Sequence, residues 1–236
     1  MATQPTYGLI GRGRVASHMA RYLELEAQPF LFWHRGMPDP PERVLDRCDV
    51  VLLAISDDSL APFLEAHPWL GRRTTVHFSG SRTLDGASGL HPLMTFGPEL
   101  YDLETYRSIP FIEERGGVRF ADTFPGLKNP AWPIDPALKP LYHALCVLGG
   151  NFTTLLWSKV AEDFESRLGL PSAALRPYLE QTCRNAAVAG RAALTGPLVR
   201  RDMGTVERDL RALAGDPYAE VYRAFAALFD LEEVTA

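Results

Sequence analysis

Six residues near the N-terminus, Gly11-Arg12-Gly13-Arg14-Val15-Ala16, narrow the possible folds more than any other part of the chain. Before them Tyr7 to Ile10 reads as a strand; after them Val15, Met19 and Leu23 recur at fourfold spacing on one helix face, and Phe30 to Trp33 reads as a second strand. In such a strand-to-helix turn the first glycine permits the tight bend and the second lets the backbone approach a pyrophosphate. A small third residue, here Ala16, lets the helix pack on the strand. The phosphates then sit at the helix N-terminus, where free N–H groups and the helix dipole favour negative charge. Gly11, Arg12, Gly13, Arg14, Val15 and Ala16 are therefore the expected cofactor-binding turn.

The segments that follow extend this βαβ pattern. A Pro-rich turn at Pro38 to Pro41 and a short helix near Val44 and Leu45 precede Val50 to Ile55, a continuous apolar run that suits a strand buried on both faces of a parallel sheet. Ser56 to Ser59 offers N-cap residues for a helix around Leu60 to Ala66, and Thr74 to Phe78 reads as a strand. Ile109 to Ile112 and Val118 to Phe120 are expected as late strands about the Gly116-Gly117 turn, and Pro125 to Pro136 as a connection between domains. From Ala137 the pattern is helical. One long helix is expected over Leu138 to Leu168, with Gly149-Gly150 inside it and Gly169 ending it, and a second opens at Pro171 and Ser172 and runs to about Leu194. A loop at Thr195 to Met203 leads to helices at Val206 to Leu213 and Tyr218 to Phe229. The fold class is α/β: an N-terminal Rossmann domain with a mostly parallel sheet over residues 1–125, then an all-α domain for substrate or dimer contacts over 126–236. A chain of 236 residues is long enough for both.

The net charge of −5, spread without runs of one sign, argues against nucleic acid and against a polybasic membrane anchor as partners. With a polar start and no apolar segment of membrane-spanning length, a cytoplasmic location is expected. Cys48, Cys146 and Cys183 form no CxxC pair, so neither a disulfide framework nor a metal site is expected. The end of the second strand selects the cofactor. An acid there would bind the ribose hydroxyls of NAD and repel the extra phosphate of NADP, whereas this chain has Trp33-His34-Arg35. Arg35, supported by Arg12 and Arg14, is a planar phosphate donor, so NADP(H) is expected over NAD.

Three further strings are distinctive: Gly89 to Phe96 (GLHPLMTF), Lys139 to Asn151 (KPLYHALCVLGGN) and Leu194 to Thr205 (LTGPLVRRDMGT). With Ser79-Gly80 and the glycine turn they resemble a family of Rossmann-like oxidoreductases whose helical C-terminal domain is known only as domain of unknown function 2520. That family is similar to pyrroline-5-carboxylate reductases, the 6-phosphogluconate-dehydrogenase-like group and an alternative form of ketopantoate reductase. The resemblance implies an NADP(H)-dependent reductase of a small 2-oxo acid, ketopantoate foremost, or of a cyclic imino acid. Two places depart from the family pattern: Leu145-Cys146 replaces a small-residue run, and Arg201 stands where the family has glycine.

Hydride transfer to a ketone or imine needs a polarising donor and a proton source. Lys139, His143 and Asn151, at helical intervals of four and eight, are the expected catalytic residues: His143 as a proton donor, Lys139 as a proton donor or to hold a carboxylate, Asn151 as an orienting amide. His91, in a loop at the sheet edge, and Thr195, Arg200 and Asp202 between two helices, are the expected substrate contacts. Ser56 and Ser79, following the third and fourth strands, complete the cofactor set. A homodimer built on the long helix is expected, and a nucleotide-binding sensor without turnover is the competing function.

Overall fold

The structure, a computed structural model, describes residues 4–234. These form two compact units, one ending at Leu155 and the other beginning at Leu156. The first unit holds β1 (Tyr7–Ile10), α1 (Arg14–Leu25), β2 (Phe30–Trp33), α2 (Pro41–Val44), β3 (Val50–Leu53), α3 (Asp57–Ala66), β4 (Thr74–His77), β5 (Ser88–Pro92), α4 (Leu103–Ser108), β6 (Phe111–Glu114), α5 (Phe120–Thr123) and β7 (Ala131–Ile134). The strands make one seven-stranded sheet in the order β2-β1-β3-β4-β5-β6-β7. Pairing is parallel from β2 through β5, antiparallel between β5 and β6, and parallel again between β6 and β7. The chain passes from β1 to β2 on one side and returns to β3 on the other, which creates a switch point at the carboxyl ends of β1 and β3.

Side-chain alternation explains why the sheet is covered on both faces. Tyr7, Leu9, Val50 and Leu52 enter a core with Ala16, Met19 and Leu23 of α1, while Ile10, Val51 and Leu53 enter a second core with Leu45, Leu60 and Leu70. The apolar run of β3 is fully buried because it feeds both.

The expected βαβ pattern through β4 is present, and the differences lie beyond it. Residues 88–92, expected as a loop, are strand β5, so His91 sits in the sheet opposite Ile112. The late strand expected at Ile109 to Ile112 lies at Phe111–Glu114, and Val118 to Phe120 is no strand: the chain turns into α5. Pro125 to Pro136 is more than a connection, because it contains β7. Pro133 is tolerated there, since β7 is an edge strand. Asn129 ties this stretch down by donating to the carbonyls of Tyr106 and Ile109 and accepting from the Tyr22 hydroxyl.

After a 3-10 turn at Pro136–Leu138 the long helix forms as expected, in three joined parts: α6 (Lys139–Cys146), a π-helical segment (Val147–Phe152) and α7 (Thr153–Ser166). The glycine pair lies in the π segment, where the i→i+5 pattern widens the turn. In the second unit Gly169 adopts φ +65, then α8 (Arg176–Ala189), α9 (Met203–Ala212) and α10 (Tyr218–Val234) follow. Arg201, at the family's glycine position, has φ +54, a left-handed conformation that favours glycine. Among the described residues no helix is long and apolar enough to cross a membrane.

Candidate functional site

A groove of about 890 Å³ opens at the switch point, lined by the glycine turn, by Trp33 to Gly36 after β2, by Ala54 to Asp57 after β3 and by Phe78 and Ser79 after β4. Gly11 has φ +137, and a β-carbon on it would lie 2.1 Å from the Ala54 carbonyl oxygen, so no other residue lets β1 turn this close to β3. The same absent β-carbon would lie 3.5 Å from that of Ala16, which seats α1 against the turn. Gly13 is the N-cap of α1, with open space where a side chain would be. The first turn of α1 has no acid and no capping side chain, so its N–H groups face the groove unspent.

Arg12, Arg14 and Arg35 line this groove, are exposed, and form no ion pair among the described residues. Ser56 lines it as the N-cap residue of α3, its hydroxyl 2.7 Å from that of Ser59. Ser79 reaches it too, but its hydroxyl donates to Asp57 at 2.8 Å. Val15 and Gly13 complete the lining of the turn.

Past Ser79, where the lining of the groove ends, lies a cluster of titratable groups. A β-carbon on Gly80 would lie 3.0 Å from Nε2 of His91 and 3.3 Å from Cδ2 of His143, so two imidazoles converge on this glycine. Nδ1 of His91 is 2.6 Å from the Tyr142 hydroxyl. Lys139 is buried: its ammonium is 2.5 Å from Glu114 and also donates to the Arg82 carbonyl. Glu114 accepts from the Gly89 N–H at 2.9 Å, and a β-carbon on Gly89 would meet Lys139 Nζ at 2.6 Å. In the GLHP string, then, Gly89 makes room for an ion pair and His91, two residues on, points to the same sheet face.

His77, at the end of β4, is fully buried with Nε2 unpaired and 3.9 Å from Glu114. Burial pushes it down to about 4; the Lys139 charge adds to this and Glu114 opposes it. His91 is also pushed down to about 4, by burial first and then by the positive charges of His143 and Lys139. The Tyr142 hydroxyl is raised by burial and, secondarily, by Cys146.

The structure thus brings His91, His143 and Lys139 together, but it encloses the Lys139 ammonium in an ion pair instead of leaving it to face the groove. Asn151 is exposed in the π segment. An ideal α-helix would carry it well round from His143, whereas the wider π turn rotates it back towards that face. Thr195, Arg200 and Asp202 belong to the second unit. Thr195 and Arg200 are exposed there, and Asp202 caps α9, accepting from the Thr205 N–H at 3.0 Å and its hydroxyl at 2.7 Å. Sequence reasoning missed His77, Glu114 and Tyr142. Tyr142 had a legible signal, since it lies three residues after Lys139 on the same helix face.

Among the described residues no cluster of His, Cys, Asp and Glu is arranged to hold a metal ion. No curated protein matches the chain. Of solved structures, the chain is similar to a Bacteroides fragilis protein provisionally described as an NADP oxidoreductase, at 19% identity and TM-score 0.75 over 96% of this chain and 98% of that one. A Thermotoga maritima protein is similar at 20% identity and TM-score 0.70, over 95% and 96%. A Plasmodium falciparum pyrroline carboxylate reductase, solved with NADP bound, is similar at 11% identity and TM-score 0.60, over 95% and 99%. At these identities the likeness is one of fold, a Rossmann-type sheet followed by helices. Residues 119–228 match the family described as Domain of unknown function (DUF2520), the family that the sequence strings resemble.

Proposed function

We propose that the chain is a reductase that holds NADP(H) in the switch-point groove and reduces the carbonyl or imine of a small acid. The observation that carries this reading is the glycine turn: a cradle that a single β-carbon at Gly11 would fill, opening on the uncapped N-terminus of α1 and rimmed by Arg12, Arg14 and Arg35. The donors fit a pyrophosphate, and Arg35, with no acid at the end of β2, fits the additional phosphate of NADP. The bound nucleotide supplies a hydride. The chain supplies His91 and His143 beside Gly80, Asn151 as an amide on the same helix, and Lys139 to hold that helix against the sheet. The similar folds of a protein described as an NADP oxidoreductase and of a pyrroline carboxylate reductase support the class. Ketopantoate and pyrroline-5-carboxylate are the substrates to try first, on the strength of the family resemblance.

Fluorescence titration tests the cofactor. Arg35→Asp is expected to weaken NADPH binding by about 10- to 100-fold, the loss of one or two charge-assisted hydrogen bonds, and to change NADH binding far less. Equal losses for both nucleotides remove the NADP assignment, and no binding of either by the unaltered protein removes the function. Binding without NADPH oxidation in the presence of a panel of small 2-oxo and imino acids makes the protein a sensor.

The long helix supports a homodimer. Leu138, Leu141, Leu145, Leu148, Phe152 and Leu155 recur at spacings of three and four and are each 49% to 59% exposed. From Pro140 to Ser158 there is no Asp, Glu, Lys or Arg. The stripe exposes on the order of 500 Å², near the upper limit for a monomer. Two copies would bury about 1,000 Å² through it, the lower bound for a specific interface. A seam without charge has nothing to select a charged partner, and a second copy across a twofold axis offers a matching one. Sedimentation is expected to show a dimer that Leu145→Glu with Leu148→Glu converts to a folded monomer; a monomeric unaltered protein at tens of micromolar overturns this assignment.

A further inference from the structure

His91 and Tyr142 meet across 51 residues of sequence, one from β5 and one from α6, with Nδ1 and the hydroxyl oxygen 2.6 Å apart and the rings edge-on at 81°. The other ring nitrogen, Nε2, makes no hydrogen bond among the described residues and is not among the buried unpaired atoms. It faces Gly80, next to the end of the groove and beside His143.

Chemistry decides which of the two groups donates. A phenol O–H is a far stronger acid than the N–H of neutral imidazole, and an imidazole lone pair is a far stronger base than a phenol oxygen, so the arrangement O–H···Nδ1 is favoured. Burial keeps the phenol protonated, and burial with the charges of His143 and Lys139 keeps the imidazole neutral against the opposing charge of Asp57. His77 adds to the depression of His91, and Cys146 lies behind Tyr142. With the Nδ1 lone pair occupied, the single ring proton resides on Nε2.

We propose, resting on the reductase reading, that His91 is the substrate's hydrogen-bond donor, an uncharged Nε2–H directed at a carbonyl oxygen, and that Tyr142 is the positioning residue that fixes this tautomer. The consequence is a substrate class. A carbonyl oxygen accepts from a fixed N–H, whereas a protonated cyclic imine presents an N–H of its own and needs an acceptor. The site therefore selects a 2-oxo acid over an imino acid.

The test is long-range proton–nitrogen NMR on the full chain labelled with 15N-histidine. At neutral pH His91 is expected as a neutral imidazole with its proton on Nε2 alone. Tyr142→Phe is expected to give a mixture of tautomers at His91 while the other five histidines keep their signals, which reports an intact fold. Oxamate, a redox-inert mimic of a 2-oxo acid, added to the NADP-saturated protein should shift the Nε2–H signal, and proline should not. A proton on Nδ1, a Tyr142→Phe spectrum unchanged at His91, no response to oxamate, or a larger response to proline each overturns the proposal. Nucleotide titration is scored separately, so intact NADPH binding alongside any of these results leaves the reductase reading standing and removes this one.

Discussion

Gly11→Ala is expected to abolish nucleotide binding and to lower the melting temperature by about 10 °C. Two costs combine. The backbone at φ +137 is a conformation that alanine occupies under strain, and the new methyl would lie 2.1 Å from the Ala54 carbonyl oxygen, forcing β1 and β3 apart. Each cost is about 1–3 kcal/mol, about 2–6 kcal/mol together, against a total stability of about 5–15 kcal/mol. For a chain of this size about 2–4 °C is lost per kcal/mol. Gly13→Ala separates folding from binding. Its φ is −81 and nothing lies within 4 Å of the added carbon, so the melting temperature should stay within a degree or two while the methyl stands where phosphate must approach. Thermal melting with NADPH titration reads both variants. Unimpaired NADPH binding by Gly11→Ala would show that the turn is not the phosphate cradle.

Lys139→Met is expected to cost about 3–5 kcal/mol at alkaline pH, because it leaves the Glu114 carboxylate buried without its cation. The pH dependence is the sharper signature. In the unaltered protein His77 is held at about 4, below its unfolded value of 6.5, so its contribution to stability is present above pH 6.5 and lost as pH falls towards 4. Without Lys139, Glu114 lies 3.9 Å from His77 with no competing ammonium, and the imidazole should take up a proton to pair with it. Its folded pKa then rises from about 4 towards the unfolded value, with burial still opposing the charged form, so less of its contribution is lost as pH falls. Urea unfolding at pH 5 and pH 8 should therefore show the variant closer to the unaltered protein at pH 5. A constant difference between the two values would mean that His77 does not respond to Lys139.

The ion pair also shows how function depends on a contact far apart in sequence. Glu114 ends β6 and Lys139 begins α6, and their bond holds the helix that presents Tyr142 and His143 to the carboxyl ends of β4 and β5. Helical spacing puts Lys139 on the same helix face as His143 but could not show that its charge is already spent on Glu114.

What the sequence by itself determined is local. The glycine turn, the strands β1 to β4, the two-sided burial of β3 and the long helix with its glycine pair all follow from short-range patterns, because turn geometry and side-chain periodicity act over a few residues. The strand at 88–92, the edge strand with Pro133 and the cluster of His77, His91, Glu114 and Tyr142 were decided only by the tertiary structure. Antiparallel pairing of β5 with β6 brings residues 90 and 113 together, and no local preference encodes which distant partner will satisfy a strand's hydrogen bonds or a buried charge.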